Sequence, residues 1–345
     1  MKLTPKDIKS KILIVGGAGY IGSHMVKMLA MQGHDVTILD NLSTGFRPSV
    51  KYGNLIVGDL ADVDLLDDLF NTYQFESVMH FAANSLVGES IANPSQYYRN
   101  NVSSTLNLLD VMVRHKIKNF IFSSTAATFG EPGYLPIDEV HPQNPINPYG
   151  SSKLMIERIL QDYANAYGLN SVSLRYFNAS GADPEGEIGE CHDPETHLIP
   201  LILQVASGRR DVITVFGRDY ATADGTCVRD YIHIHDLCAA HALALEYIRT
   251  NKDRGALSFN LGNGQGFSVQ QVIDIAQKIV AKDNCVLVVE NGKRREGDPA
   301  VLVADAARAK SILGWNPLYS DLEIIVRHAW EWEKKQAKLN IKDAL

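Results

Sequence analysis

The sequence predicts an α/β protein built on a doubly wound parallel sheet, with a smaller α/β lobe toward its C-terminal end. Three observations carry this prediction. Short apolar strands alternate with amphipathic helices through the first 178 residues. A glycine-rich turn joins the first strand to the first helix. Past residue 178 the alternation stops, and Ala179–Cys227 is rich in Gly, Pro, Asp and Glu. Strand–helix alternation with short links gives a parallel sheet covered on both faces, because right-handed crossovers bring each helix back over the sheet.

Lys11–Val15 (KILIV) reads as a short buried strand. Ile21–Gln32 reads as a helix, with Ile21, Met25, Met28 and Leu29 on one face. Asp35–Leu39 and Asn54–Val57 are the next strands, and Val63–Tyr73 is a helix rich in Leu and Asp. Ser77–Phe81 is the fourth strand. Pro94–His115 reads as one long helix, with Val102, Leu106, Leu109 and Val113 at helical spacing. Asn119–Ser123 is strand five, Tyr149–Tyr167 a helix and Ser171–Arg175 strand six, which completes a Rossmann-like sheet. Beyond it come helices at Ile199–Ala206, His235–Arg249, Val269–Ala281 and Asp321–Lys338, and strands at Ser258–Leu261 and Val286–Glu290. We divide the chain into a dinucleotide-binding part, residues 1–178, and a substrate lobe, 179–345. Segments near 228–262 are expected to return to the first part.

The 345 residues carry 33 Lys plus Arg against 40 Asp plus Glu, a net charge of −7. With 45% hydrophobic and 21% charged residues the chain is a globular one and too apolar for disorder. Its acidic balance argues against a nucleic-acid or anionic-membrane partner. No apolar signal core follows the N-terminal lysines, and no stretch reaches the roughly 18 apolar residues of a membrane helix, so a cytoplasmic location is expected. Cys191, Cys227, Cys238 and Cys285 lie far apart with no CxxC pair, which argues against a zinc ribbon, a dithiol site or a disulfide scaffold.

Gly16, Gly19 and Gly22 lie between the first strand and the first helix. Glycines there let the backbone turn sharply and approach a pyrophosphate, to which the helix N-terminus offers free N–H groups. A glycine triplet alone specifies only a tight turn; the strand–loop–helix context assigns it. Asp40 ends the second strand, where a carboxylate holds the two hydroxyls of an adenosine ribose and repels a 2′-phosphate, so NAD is favoured over NADP. Asp59, after the third strand, is placed to accept from the adenine amino group.

Tyr149 and Lys153 stand at i, i+4 at the start of a helix that Asn147 caps and Pro148 opens. A tyrosine with a pKa near ~10 needs about three units of depression to act as a base at neutral pH. Lys153, the helix N-terminus and the charged nicotinamide ring are the expected causes. Thr125 follows strand five, at the sheet edge where such folds bind ligands, and its hydroxyl can share the substrate proton. Arg229 and Arg295 are candidates to clamp a second pyrophosphate.

GGAGYIGSH, the YGSSK helix, LRYFNASGA (Leu174–Ala182), VRDYIHIHDL (Val228–Leu237) and RREGDPA (Arg294–Ala300) together resemble the extended short-chain dehydrogenase/reductase family, and within it the branch that epimerises UDP-hexoses. The resemblance runs from about Lys11 to Trp332. It implies that Gly16, Gly19, Tyr20, Ile21 and Gly22 hold the NAD pyrophosphate. It places Asp40, Asn41, Thr44 and Gly45 at the ribose and Asp59 and Leu60 at the adenine. Phe81, Ala82, Ala83, Asn100 and Phe177 then border the cofactor. Thr125, Tyr149 and Lys153 match the catalytic hydroxyl, base and lysine. Asn178, Leu198, Phe216, Arg229, Arg295 and Asp298 match positions that contact UDP.

The implied reaction is reversible conversion of UDP-galactose and UDP-glucose through a transient 4-keto sugar and enzyme-bound NADH, in a homodimer paired through the long helices. Two positions depart from the family pattern: Ser85 stands where several members have lysine, and Thr125 replaces the usual serine. The resemblance also bears on a 4,6-dehydratase, which needs an acid to expel water: such relatives carry an Asp–Glu pair directly after the active-site threonine, where this chain has Ala126 and Ala127. A non-catalytic NAD-binding scaffold is the rival from outside enzymology, since fold alone does not fix function. By the same resemblance, Leu302 stands where related epimerases vary between bulky and small residues; leucine is intermediate, which favours UDP-Glc and UDP-Gal and leaves UDP-GlcNAc open. The stretch Gly189–His197 (GECHDPETH) reads as a polar loop of the smaller lobe, because no second ligand group of matching spacing occurs elsewhere. No metal is therefore expected. His233 and His235 read as structural residues in a strand-like link.

Overall fold

The computed structural model describes residues 9–251, 255–295 and 298–343. Seven parallel strands form its central sheet: β1 (Lys11–Val15), β2 (Asp35–Asp40), β3 (Asn54–Val57), β4 (Ser77–His80), β5 (Asn119–Thr125), β6 (Asn170–Tyr176) and, much later in the chain, a strand at Ala256–Leu261. Starting from that late strand, the spatial order continues through β6, β5, β4, β1 and β2 to β3. The order reverses between β1 and β4, so a crevice opens beyond their carboxyl ends.

The central strand shows why the segment folds this way. Ile12, Leu13, Ile14 and Val15 are all buried. Ile12 and Ile14 join the core on one face, and Leu13 and Val15 the core on the other. A strand covered on both sides must be apolar throughout, as KILIV is.

Helices α1 (Tyr20–Met31), α2 (Val63–Tyr73), α3 (Val87–Ala92), α4 (Pro94–Tyr97), α5 (Ser104–Arg114) and α6 (Pro148–Tyr167) cover these faces. The segment read as one helix over Pro94–His115 is broken by a π-helical turn at Tyr98–Ser103. Helical periodicity does not register this, because one wider turn leaves the apolar face nearly in phase.

After β7 (Asn178–Ser180) the chain builds α7 (Leu198–Ala206), β8 (Ile213–Phe216) and β9 (Val228–His233). It then runs through α8 (Ile234–Thr250) to β10 (Ala256–Leu261), the late strand beside β6. Buried Leu237, Ala240, Ala244 and Ile248 of α8 belong to the core over the large sheet. The rest comprises β11 (Gly266–Ser268), α9 (Val269–Val280), β12 (Val289–Gly292), β13 (Val301–Leu302) and α10 (Leu322–Asp343). A second sheet runs β11, β9, β13, with β7 also on β9. β12 pairs with β8. α7, α9 and α10 share a separate core that includes Ile202, Ile273, Val326 and Trp330.

β12 begins three residues later than the sequence pattern predicts. Leu287 N–H donates to Gln277 Oε1 of α9 at 2.9 Å, which holds this stretch off β8 until Val289. His233 ends β9, and its Nδ1 caps α8 by accepting from His235 N–H at 3.0 Å.

Candidate active site

A cleft of about 480 Å³ opens at the carboxyl ends of β1 and β4. Gly16, Gly19, Tyr20, Ile21, Gly22, Asp40, Asn41, Thr44, Gly45, Asp59, Leu60, Phe81, Ala82, Ala83, Asn100 and Phe177 all line it. So do Thr125, Tyr149, Lys153, Asn178, Arg229 and Leu302. These residues are spread over 287 positions of sequence, from 302 − 16 + 1 = 287, and the topology brings them to one sheet edge.

The glycine loop is tight for a stated reason. Gly16 has φ +81°, and a Cβ there would lie 2.4 Å from Ala82 N. A Cβ on Gly22 would lie 2.0 Å from Gly16 O. Gly19, by contrast, meets only Gly16 O at 3.5 Å, an ordinary contact. No side chain caps α1, so its first-turn N–H groups have no helical acceptor and suit an anion. Asp40 is buried at the end of β2, with Oδ2 accepting from Ala18 N–H and Oδ1 from Leu42 N–H, each at 2.8 Å. Each oxygen keeps a second lone pair for a diol. Asn41 Nδ2 donates to Asp59 Oδ2 at 2.7 Å, so the two residues beyond the ribose position hold each other. This cradle and its carboxylate fit NAD.

The other half of the cleft is built on the end of β5. Asn147 Oδ1 accepts Gly150 N–H at 2.8 Å and starts α6. Gly150 allows the helix to approach closely: a Cβ there would sit 2.4 Å from Ala127 O. That approach brings Tyr149 to Thr125. Lys153 Nζ donates to Ser123 O at 2.8 Å and stands 6.0 Å from the centre of the Tyr149 ring.

The electrostatics differ from the sequence-based expectation. Burial raises the Tyr149 phenol above its ordinary value, and a hydrogen bond with Thr125 draws it only partly back. Burial lowers Lys153 to about 7, with Glu157 opposing it. The expected depression of Tyr149 by Lys153 and the helix terminus is thus not supplied by the protein alone. Desolvation dominates, because both side chains are buried together.

Sequence reasoning missed the support beneath this pair. Glu157 lies one helical turn beyond Lys153 and pairs with Arg175 of β6 through a 2.6 Å contact, both side chains being buried. Ser124 Oγ donates to the same carboxylate at 2.5 Å. Spacing i, i+4 from Lys153 is the signal that could have found Glu157. Asn101, in the π-helical turn, was also missed. Its Oδ1 accepts Asn84 N–H at 2.9 Å, and its Nδ2 donates to Ser152 Oγ at 3.0 Å, which ties that turn to α6. Wider turns of this kind occur often at functional sites.

Four predicted nucleotide contacts do not line the cleft. Asp298 forms an ion pair with Arg229, which does line it. Arg295 stacks over Phe216 at 4.1 Å, and neither residue is on the cleft wall. Leu198 starts α7 and packs on the smaller lobe's core. The stretch read as a polar loop supplies His192, Asp193, Pro194, Thr196 and His197 to the cleft wall. Its need for a distant partner group does not arise, since the loop folds its own donors together: Glu190, His192, Glu195 and His197 have ligand atoms within 4.8 Å of one another.

The fold and this site define a dinucleotide-binding oxidoreductase-type protein, with a Tyr–Lys pair facing a cofactor cleft. The model of the NAD dependent epimerase/dehydratase family matches residues 12–262, and the chain belongs to that family. A UDP-glucose 4-epimerase of Halalkalibacterium halodurans is 52% identical over 324 residues, covering 94% of this chain and 96% of the relative. A UDP-glucose 4-epimerase of Brucella ovis, solved in complex with NAD, is 49% identical with a TM-score of 0.89 over 93% of this chain and 97% of that one. The Bifidobacterium longum UDP-glucose 4-epimerase, solved with NAD+ and UDP, is 37% identical with a TM-score of 0.89, covering 94% and 98%.

Proposed function

We propose that this protein interconverts UDP-galactose and UDP-glucose by inverting the sugar at C4, with NAD as resident cofactor. The observation that carries the reading is the convergence of Tyr149, Lys153 and Thr125 on the cleft lined by the glycine loop and Asp40. Bound NAD supplies a reversible hydride acceptor. Gly16, Gly19, Gly22 and the first turn of α1 hold its pyrophosphate, and Asp40 and Asn41 hold its ribose. Asp59 and Leu60 flank the adenine.

Tyr149, as phenolate, takes the proton of the sugar 4-hydroxyl. It returns that proton once the 4-keto sugar has turned over, and C4 is then inverted. Thr125 shares the proton, and the Lys153 ammonium stabilises the phenolate. Arg229 and Asn178 grip the nucleotide from the cleft wall, Asp298 holds Arg229 in place, and the sugar stays loosely held. Ala126 and Ala127 offer no acid for dehydration. Residues 1–178, with α8 and β10, form the cofactor half, and most of 179–345 the substrate half.

We further propose a homodimer, supported by exposed apolar Met155 and Tyr167 on α6 and Ile91 on α3. A cytoplasmic location is supported by four free cysteines. Among the described residues no helix is long and apolar enough to cross a membrane.

The test is incubation of purified protein with UDP-galactose and no added NAD. UDP-glucose should form, and Tyr149→Phe should retain NAD and lose nearly all turnover. A 4-keto-6-deoxy product would support the dehydratase reading instead.

A further inference from the structure

The Glu190–His197 loop holds a group of side chains that the sugar chemistry does not use. The Glu190 and Glu195 side chains are only 4% and 5% exposed. Among the described residues their ion-pair partners are His192 and His197 alone, with no lysine or arginine. His192 Nδ1 is buried with no hydrogen-bond partner, although it lies 3.1 Å from Glu190 Oε1. Two buried carboxylates thus face two imidazoles and no other cation, so the histidines alone balance the charge at this point.

The frame around them is fixed. Trp332 Nε1 donates to Glu190 O at 2.9 Å, and its indole lies against Gly189, where a Cβ would be 2.3 Å from Trp332 Cγ. Gly189 also bridges to Ala182. Glu195 Oε1 is occupied by the N–H groups of Thr196 and His197, at 2.7 and 2.8 Å, which leaves Oε2 toward His192.

We propose that Glu190, His192, Glu195 and His197 form a binding site for one divalent transition-metal ion of the zinc class. Two imidazoles and two carboxylates are a donor set for zinc or its first-row neighbours, and four donors suit tetrahedral coordination. Bonds of about 2.0–2.1 Å place tetrahedral donors about 3.4 Å apart. The four donor atoms already lie within 4.8 Å of one another, with His192 Nδ1 3.1 Å from Glu190 Oε1 and 3.6 Å from Glu195 Oε2, the scale of one coordination sphere. The ion replaces protons on the histidines, so the two anionic carboxylates stay neutralised and binding releases protons. His192 stacks edge-on against Tyr20 of the glycine loop, with ring centres 6.3 Å apart. The ion would therefore pin this loop at the mouth of the cofactor cleft, as a structural site rather than a reacting one.

The experiment uses full-length protein stripped of metal by a chelator and contains no sugar nucleotide, so it succeeds or fails independently of the epimerase reading. Zinc is titrated in competition with a chromophoric chelator, and cobalt is used as a spectroscopic probe. The expected result is one equivalent bound with a Kd at or below about 1 μM, proton release on binding, a rise in Tm and the visible absorption of tetrahedral cobalt. Glu195→Gln and His192→Ala should each weaken binding by at least about 100-fold, more than loss of an outer-sphere partner. Glu195→Gln nearly preserves shape, and far-UV circular dichroism reports whether it folds. Absence of a saturable site in the wild-type protein overturns the proposal whatever the variants do. Unchanged affinity in folded Glu195→Gln and His192→Ala overturns it as well.

Discussion

Replacing Lys153 by methionine removes a charge while keeping most of the side-chain volume. The ammonium stands 6.0 Å from the centre of the Tyr149 ring, over which a phenolate charge is spread. At an effective dielectric of about 20, that separation gives an attraction of about 2.8 kcal/mol, or roughly two pKa units. Burial already raises Tyr149, and the hydrogen bond with Thr125 draws it only partly back, so the phenolate depends on a charge placed beside it. Burial pushes Lys153 down to about 7, so the pair gives up one proton near neutrality, and the reactive form is the tautomer in which Lys153 keeps its proton and Tyr149 has lost its own. Turnover of the wild-type protein should rise with pH and level off a little above 7. In Lys153→Met, turnover at pH 7 should fall by about 100-fold. Its profile should keep rising through pH 9, because a lone buried tyrosine ionises later. The assay is the initial rate of UDP-glucose formation from pH 5.5 to 9.5, with Tm and bound NAD measured in parallel. A loss that is the same at every pH, with an unshifted midpoint, would refute the electrostatic role and leave Lys153 a packing residue.

The glycine loop gives a contrasting pair. Gly22→Ala forces a Cβ to within 2.0 Å of Gly16 O and should lower Tm and abolish NAD retention, whereas Gly19→Ala meets nothing closer than 3.5 Å and should leave Tm unchanged. Arg175→Met leaves the Glu157 carboxylate buried without its counter-charge, and should cost about 3–5 kcal/mol in denaturant unfolding. Adding Glu157→Leu should recover much of that loss; no recovery would mean the pair is not coupled. Leu302 lines the cleft beside Arg229, so Leu302→Ala should raise the ratio of UDP-GlcNAc to UDP-Glc turnover by about tenfold or more. An unchanged ratio would remove Leu302 from sugar selection.

Much of the dinucleotide half is legible in the chain itself. KILIV announces a strand buried on two faces, and the three glycines and Asp40 lie within 25 residues of one another, from 40 − 16 + 1 = 25. Short-range order of this kind is set by backbone sterics, side-chain periodicity and helix capping, all of which act over a few neighbours. Asn147, Pro148, Tyr149 and Lys153 belong to the same class, since the i, i+4 spacing alone puts the tyrosine and lysine on one face. Tertiary structure decides what depends on distant segments meeting. It sets the β12 register through Gln277, the π-helical turn tied by Asn101 to α6, and the Arg175–Glu157 pair under Lys153. It also gathers Glu190, His192, Glu195 and His197 around one point. Above all it fixes protonation. The sequence places a cation next to a phenol and predicts an acidified tyrosine. The folded protein buries both, and the cost of charge in a dry interior pushes Tyr149 up and Lys153 down. Desolvation is a property of everything packed around a group, and no local stretch of sequence encodes it.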